Sequence, residues 1–233
     1  TTIKKDNLYS TEPAFFSYPN DWKTGSANED VVLLMNEYLG KVPLKQLNCM
    51  SWEIAYAQHC LANCLMSGGS WHWVKSESDF AEAQEKYKTN SLSTYPISME
   101  RICSFGKFKT PIDFVEISGG ACPPSLINKI RSAINPRFIS NSFSTVGVGL
   151  LLTKVISRDE PGDDIEYMKV YDKTGLQVKL DETGLMYFSR NSSEWISDGD
   201  IFDKINKSYK FRCRSHDQYL NFKGGKISTW EIE

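Results

Sequence analysis

The turn that could bring main-chain atoms against a ligand lies in residues 117–124, which read ISGGACPP. A strand-like run enters this turn, and a helical pattern leaves it. Two glycines and an alanine carry no bulky side chain, so the backbone could approach a ligand closely there. The same residues could also do no more than turn the chain, and their neighbours in the sequence have to decide between the two interpretations.

Aromatic residues around His72 form a second candidate site, because residues 70–79 read SWHWVKSESD. Trp71 and Trp73, next to Lys75, could stack on a base or a sugar. Alternation of the two tryptophans with His72 is also what a strand with one buried face shows. We favour the strand.

Thiols form a third candidate, since Cys60 and Cys64 lie four residues apart on one apolar face of a predicted helix. Neither neighbouring histidine completes a recognised zinc spacing with them. We therefore interpret these thiols as buried core groups and His59 as a packed side chain. A nucleophilic pair such as Cys122 with His216 has no supporting motif.

The elements around the glycine turn form a strand–helix–strand unit. Residues 112–118 predict a buried strand, and residues 137–143 predict a second one. Between them, residues 124–134 predict a helix whose apolar side chains share one face and whose prolines fall in the first turn. Two strands joined by a helical crossover predict a parallel sheet.

Helical patterns precede this unit, and strand patterns follow it. Helices are predicted at residues 52–66, 78–87 and 98–105, with Ser78 as the N-cap of the second. Residues 30–40 predict a short helix or a buried strand that Gly40 closes. After residue 145, five strand-like runs are separated by turns such as DKTG and DETG.

This order of elements predicts an α/β fold class, with a βαβ-containing sheet, flanking helices and a C-terminal antiparallel β-subdomain. We expect residues 1–150 to form the α/β part and residues 151–212 to form the β-rich subdomain.

Four segments in the second half resemble the adenylate-forming enzymes, which include acyl-CoA synthetases (AMP-dependent ligases), luciferases and peptide-synthetase adenylation domains. The segments read FVEISGGACPPSLINKIRSAINPRFISNSFSTVGVG, MKVYDKTGLQVKLDETGLMYFS, WISDGDIFDKI and FRCRSHDQYLNFKGGKISTWEIE. They resemble, in order, the family's strand–GGAPL–helix–strand segment, its V-D-x-x-G stretch, its W-Y-x-T-G-D motif and its G-R-x-D-D hinge. Their order and spacing match the family over residues 112–233, while residues 45–105 match by layout only.

The resemblance implies the core of the family's large N-terminal domain, with residues 213–233 as the hinge and the start of a small C-terminal domain. It implies a ligase reaction in which a carboxylate attacks the α-phosphate of ATP and releases pyrophosphate, before a thioester forms. The family's nucleotide positions are filled here by Gly119, Gly120 and Ala121 beside adenine, Asn141 and Phe143 flanking the base, Asp200 on the ribose hydroxyls, and Arg214 on ribose or phosphate oxygens. His216 and Asp217 fall at the hinge itself.

Each of these positions also has a plain structural interpretation. The glycine pair could be a simple turn, Asp200 a turn residue, Arg214 a surface residue and Phe143 a core residue of its strand. The acyl pocket that the family implies would lie between the helix at residues 52–66 and the strands at residues 117–150.

Several parts of the family's machinery depart from its pattern. The phosphate loop would fall at residues 15–26, FFSYPNDWKTGS, which lack the glycine density of such loops. Val146 and Gly147 stand where the family has a threonine and the glutamate that holds Mg²⁺, unless Glu116 or another acid takes that role. Asp198 replaces a threonine near WISDGD, and the lysine-bearing C-terminal domain is not in the sequence.

These departures lead us to expect ATP or AMP binding, doubtful Mg²⁺ binding and weak or absent turnover, with CoA as a ligand of a full-length relative. The chain would be a fragment of a longer product or a reduced homologue. The alternative is a noncatalytic nucleotide-binding or protein-interaction remnant of the same fold. We expect a small carboxylic acid or acyl substrate, and self-association of a half-sized core as a homo-oligomer.

Composition narrows the class of partners. The 233 residues include 27 basic and 29 acidic ones, for a net charge of −2, which predicts no nucleic-acid partner. No apolar run is long enough to span a membrane, and the first residues, TTIKKDNLYS, carry no signal-peptide pattern. Six cysteines in a chain of this length predict reduced thiols and a cytoplasmic protein.

Overall fold

A mixed sheet of eight strands organises the computed structural model. The structure describes residues 2–3, 25–51, 54–145, 149–162, 165–171, 175–189, 194–215, 219–222 and 225–228. The strands of the sheet are β1 (Thr2–Ile3), β2 (Lys45–Asn48), β3 (Ser70–Trp73), β4 (Ser91–Thr94), β5 (Phe114–Ser118), β6 (Phe138–Thr145), β7 (Gly149–Ser157) and β8 (Lys169–Val170). In space their order is β1-β3-β2-β4-β5-β6-β7-β8.

The central strands of this sheet, β3, β2, β4, β5 and β6, are parallel. β1 is antiparallel at one edge, and β7 and β8 are antiparallel at the other. Because the central strands share one direction, their carboxyl ends lie along one edge of the sheet. Open α/β sheets bind ligands outside that edge.

Helices cover both faces of the sheet. They are α1 (Gly25–Leu39), α2 (Ala55–Met66), α3 (Phe80–Tyr87), α4 (Pro96–Ser104) and α5 (Pro124–Ala133). α1 and α2 share a core with Phe114, whereas α3, α4 and α5 share a core with Val115 and Ile117. Side chains alternate along a strand, so β5 contributes to both cores. Burying an aliphatic side chain of this size contributes about 1.5–3 kcal/mol, so both faces stabilise the sheet.

The predicted strand–helix–strand unit is present as β5, α5 and β6, and its two strands are parallel. α5 begins at Pro124, whose missing N–H would have no helical partner in the first turn. Its buried face consists of Leu126, Ile127 and Ile130, as the spacing predicts. The helical crossover therefore returns the chain to the same sheet edge.

Two helix boundaries differ from the predictions. Ser76, and not Ser78, is the capping residue, because Ser76 Oγ accepts a hydrogen bond from Ser78 N at 3.3 Å. This cap opens a 3-10 turn at Glu77–Asp79, and α3 begins only after it. The segment 30–40, predicted as a helix or a strand, is helical: it contains the last ten residues of α1, which ends at Leu39. Gly40 follows the helix with a φ of +74°.

β4 is an element that the hydrophobic pattern did not predict. Its four residues, SLST, are all buried, although three of them carry hydroxyl groups. A search for apolar periodicity finds no signal in such a run. Ser93 is accommodated because the Gln46 side chain on β2 hydrogen-bonds to it, and Ser91 Oγ donates to the carbonyl oxygen of Lys45 at 3.5 Å.

The aromatic stretch at residues 70–73 forms β3, as favoured from the sequence. Trp71 is buried, and Trp73 is 37% exposed at the end of the strand. The ring of His72 stacks on Tyr87 with a centroid distance of 4.3 Å. These rings are therefore part of the packing between β3 and α3.

Antiparallel hairpins follow the main sheet. β9 (Gln177–Leu180) pairs with β10 (Met186–Ser189), β11 (Asp200–Ile205) with β12 (Ser208–Arg214), and β13 (Tyr219–Phe222) with β14 (Gly225–Ser228). Phe188 and Phe202 pack with Leu152 of β7, so the first two hairpins share a core with the main sheet. The predicted fold class is confirmed. The main sheet contains strands on both sides of residue 150, and the domain boundaries stay predictions.

Two predictions about helices and cysteines can be compared with the described residues. None of its helices combines the length and the apolar character needed to cross a membrane. All six cysteines are free thiols, with Cys60 and Cys64 buried on α2 as predicted, and Cys213 on β12 is the exposed one.

Gly69 provides a test of how tightly β2 and β3 are joined. A Cβ at this position would lie 2.6 Å from Leu44 N and closer still to the Leu44 carbonyl oxygen, and backbone atoms cannot move aside cheaply. We expect Gly69→Ala to lower the free energy of unfolding by at least about 3 kcal/mol in urea denaturation. Gly68→Ala is the matched control, because Gly68 has a φ of +74° but open space around it; it should cost about 1 kcal/mol. Equal losses would contradict this account.

Candidate functional site

The glycine turn lies at the carboxyl edge of the parallel strands, directly after β5. Gly119 and Ala121 are exposed, and Gly120 is half-buried. Gly119 has a φ of +79°, and a Cβ there would lie 2.7 Å from two ring carbons of Tyr95, the residue after β4. Glycine is therefore required both by the backbone conformation and by the neighbouring ring. The predicted role beside adenine stays a prediction, since Tyr95 already accounts for the glycine.

Asn141 and Phe143, the residues predicted to flank the base, both lie on β6. Asn141 is buried and donates a hydrogen bond from Nδ2 to the carbonyl oxygen of Ile165 at 3.1 Å. Phe143 lies edge-on to Phe202 at a centroid distance of 5.0 Å and stacks on Phe211 at 6.2 Å. Both side chains thus have structural partners, and Phe143 connects β6 to the hairpin formed by β11 and β12.

Asp200 and Arg214, the predicted ribose-binding residues, face each other in the register of β11 and β12. Arg214 Nε donates to Asp200 Oδ1 at 2.9 Å. The Asp200 side chain is 1% exposed, and the Arg214 side chain is 42% exposed. The structure therefore brings these two residues together as an ion pair, on the hairpin that also carries Phe202 and Phe211 of the Phe143 cluster.

A second polar group surrounds Glu116, which lies in the middle of β5 and is 2% exposed. Ser93 Oγ on β4 donates to Glu116 Oε2 at 2.9 Å. Gln46 Nε2 on β2 donates in turn to Ser93 Oγ, and the Cys64 thiol on α2 lies 3.6 Å from Gln46 Oε1. Burial raises the pKa of Glu116 above its ordinary value, and the hydrogen bond from Ser93 opposes that shift.

A cavity of about 20 Å³ adjoins Glu116. Its polar lining comes from one helix and two strands: Tyr56, His59 and Asn63 lie on α2, Glu116 and Ser118 on β5, and Ser142 and Ser144 on β6. This volume holds about one water-sized group. Burial lowers the pKa of His59, so its imidazole is neutral near neutral pH. The cavity lies between the helix and the strands where the family resemblance implies an acyl pocket, and that role stays a prediction.

Sequence reasoning missed most of this polar group. It considered Glu116 only as a replacement for the Mg²⁺ ligand, and the described residues contain no set of three metal-ligating side chains. A charged residue inside the otherwise apolar run FVEIS is a signal that could have pointed to the cavity. His216, Asp217, Val146, Gly147 and residues 15–24 lie outside the described residues.

Comparisons with known proteins establish the fold. No family model matches the chain, and no curated protein matches it significantly. The fold resembles an acyl-CoA synthetase (AMP-forming)/AMP-acid ligase II-like protein from Dyadobacter fermentans, with a TM-score of 0.61, 14% identity and coverage of 89% of this chain and 59% of the other. It also resembles O-succinylbenzoate Coenzyme A synthetase from Bacillus subtilis in complex with ATP and magnesium, with a TM-score of 0.67, 14% identity and coverage of 90% and 50%.

A malonyl-CoA ligase with methylmalonyl-CoA and AMP bound is a third similar structure, with a TM-score of 0.64 and 14% identity over 89% of this chain and 52% of that one. The chain thus spans about half to three-fifths of the length of these enzymes. Its fold is that of the AMP-forming acyl-CoA ligases.

The raised pKa of Glu116 predicts a pH-dependent stability. In the unfolded chain the Glu116 carboxyl group loses its proton at about pH 4.3, whereas in the folded protein it keeps the proton to a higher pH. The free energy of unfolding therefore falls as the pH rises from the pKa of the unfolded chain to that of the folded protein. Glutamine resembles the protonated side chain, so Glu116→Gln should raise the Tm increasingly from about pH 4 upward. Glu82→Gln, at an exposed position on α3, is the control and should leave the pH profile of the Tm unchanged. A variant whose Tm advantage does not grow with pH would show that Glu116 ionises without cost.

The ion pair of Asp200 predicts a difference between two arginines on one strand. Arg214→Ala leaves the buried Asp200 carboxylate without this donor and should cost about 1–3 kcal/mol of unfolding free energy in urea. Arg212→Ala breaks an exposed pair with Asp203, at 2.6 Å, and should cost less than about 1 kcal/mol. Equal costs would mean that burial of Asp200 does not strengthen its pair.

Proposed function

We propose that this chain is the nucleotide-binding and acid-binding core of an AMP-forming carboxylic acid ligase of the adenylate-forming superfamily. The observation that carries this proposal is the fold likeness over about nine-tenths of the chain, at 89–90% coverage, to enzymes of that reaction class. Four sequence segments in the family's order support it independently of the fold. One similar structure holds ATP and magnesium, and another holds AMP and an acyl-CoA product.

The proposed nucleotide site is the carboxyl edge of the sheet. Gly119, Gly120 and Ala121 present exposed or half-buried backbone there, which is what the face of an adenine ring needs. Asp200 and Arg214 would serve the ribose and phosphate oxygens. Because Asp200 is fully buried against Arg214 here, ribose binding requires the hairpin of β11 and β12 to shift and expose that carboxylate.

The proposed reaction joins an acid to the nucleotide. A carboxylate oxygen attacks the α-phosphorus of ATP, the bond to the bridging oxygen breaks, and pyrophosphate leaves with that electron pair. The product is an acyl adenylate, which a thiol such as CoA could convert to a thioester with release of AMP. The cavity beside Glu116 would receive the part of the acid remote from its carboxylate.

The residues present do not fit the family's magnesium site. Val146 and Gly147 offer no side-chain oxygen at the positions where the family holds the ion, and the described residues form no cluster of three metal ligands. We therefore assign no step to Mg²⁺ in this chain. Loss of one stabiliser of developing phosphate charge costs about 3–4 kcal/mol, so we propose slow turnover. The six free thiols suit a reducing compartment, and we propose the cytoplasm.

Nucleotide binding tests the proposed function. AMP, ATP and a nonhydrolysable acyl-adenylate analogue should raise the Tm, since a ligand at a hundred times its Kd stabilises the folded state by about 2.7 kcal/mol. Ala121→Trp should abolish the shift, because Ala121 is exposed and a large ring there would occupy the adenine position. Ser132→Trp, exposed on α5, is the matched control.

The absence of any nucleotide-dependent shift would overturn the proposed site and favour a remnant that keeps only the fold. Pyrophosphate exchange with a panel of carboxylic acids measures turnover directly. Rapid exchange by the purified chain would contradict slow turnover while supporting the reaction class.

A further inference from the structure

The cavity beside Glu116 contains one buried hydrogen-bond acceptor without a partner among the described residues. Glu116 contributes a buried carboxyl group, and Asn63 contributes its Oδ1 atom, which is buried and accepts no hydrogen bond among the described residues. Asn63 is 3% exposed, so water at the surface does not reach this oxygen freely. A buried acceptor left unpaired destabilises the fold, so the Asn63 oxygen favours a ligand that donates.

The charge of the cavity is also uncompensated within the part of the chain that the structure describes. No described lysine or arginine forms an ion pair with Glu116, and neutral His59 adds no positive charge. Ser93 donates one hydrogen bond to Glu116 Oε2, and the side chains of Tyr56 and Ser142 also hydrogen-bond to this carboxyl group, but all three hydroxyls are neutral. A cation that enters the cavity would therefore meet a carboxyl group that has no competing positive partner among these residues.

The size of the cavity restricts which cation could enter. A volume of about 20 Å³ accommodates one water-sized group, so a primary ammonium group fits, whereas a guanidinium or a quaternary ammonium group does not. Three N–H donors on an ammonium match the carboxyl of Glu116, the amide oxygen of Asn63 and the hydroxyl of Ser142, all of which line the cavity.

We propose that this cavity binds the primary ammonium group of an amino-bearing carboxylic acid. The assignment of that acid as a substrate rests on the proposed function, whereas ammonium binding itself does not. Glu116 lies three residues before Gly119, which corresponds to about 10 Å along a strand. An acid that reaches from the cavity to the glycine turn therefore has its amine remote from its carboxylate, as in an ω-amino acid.

Binding of small probes without any nucleotide tests this inference. Titration calorimetry with 5-aminovalerate, 5-hydroxyvalerate and valerate should give the tightest binding for the amine, by about tenfold over either analogue. Methylammonium chloride should bind competitively with 5-aminovalerate. Tetramethylammonium chloride, which has the charge but no N–H group and is too large, should not.

Variants locate the binding. Glu116→Gln should weaken 5-aminovalerate binding about tenfold or more, and Asn63→Leu should weaken it as well. Glu116→Gln should keep a single cooperative thermal transition, which shows that the variant is folded whether or not the chain binds AMP. Glu82→Gln, on the exposed face of α3, should change neither ligand.

The two proposals fail in different ways. If AMP binds but neither amine probe does, or if Glu116→Gln leaves amine binding intact, the ammonium site is wrong and the proposed function stands. If the amines bind in a Glu116-dependent manner while no nucleotide binds, the ammonium site stands and the proposed function is wrong.

Discussion

The parallel pairing of β4, β5 and β6 is the constraint on which every candidate ligand contact depends. It brings the turn at Gly119 beside the Tyr95 ring and places Ser118 next to Ser142 in the sheet. If β5 ran the other way, its five residues would carry Gly119 about 16 Å away, to the opposite edge of the sheet. If the strands kept their order but not their common direction, their carboxyl ends would not meet at one edge, and the candidate contacts for a nucleotide and an acid would not lie together.

The register of these strands is fixed by polar as well as apolar contacts. Gln46, Ser93 and Glu116 lie on three neighbouring strands and form a continuous line of hydrogen bonds beneath α2. Slippage of one strand by a single residue would turn its member of this line to the opposite face, where Ile117 and Val115 pack with α3–α5. Burying these polar groups costs desolvation energy unless each finds a hydrogen-bond partner, so the fold is stable only when these three strands lie side by side in this register. Glu116, one member of this line, also lines the cavity, so strand register positions the carboxyl group on which the proposed ligand selectivity depends.

Much of the fold could be predicted because its elements have strong periodicity. The run PSLINKIRSAI and the buried strand before it carry clear signals, and collinear motifs gave the fold class. β4 gave none, because Leu92 is the one apolar residue in SLST and the three hydroxyl-bearing residues around it are buried as well. The candidate site was predicted less well. Asn141 and Phe143 lie on β6, and their role beside a base stays a prediction. Their packing partners could be known only from the structure, and Asn63 belongs to none of the sequence motifs.

The exposed thiol of Cys213 has a practical consequence. It lies next to Arg214 on the strand that pairs with Asp200, whereas the other five cysteines are buried or half-buried. A maleimide dye would therefore attach first to the hairpin whose displacement would uncover Asp200, without any engineered residue. The chain thus carries its own attachment point for a fluorescent reporter of hairpin motion, and the depth of the other thiols keeps the background labelling low.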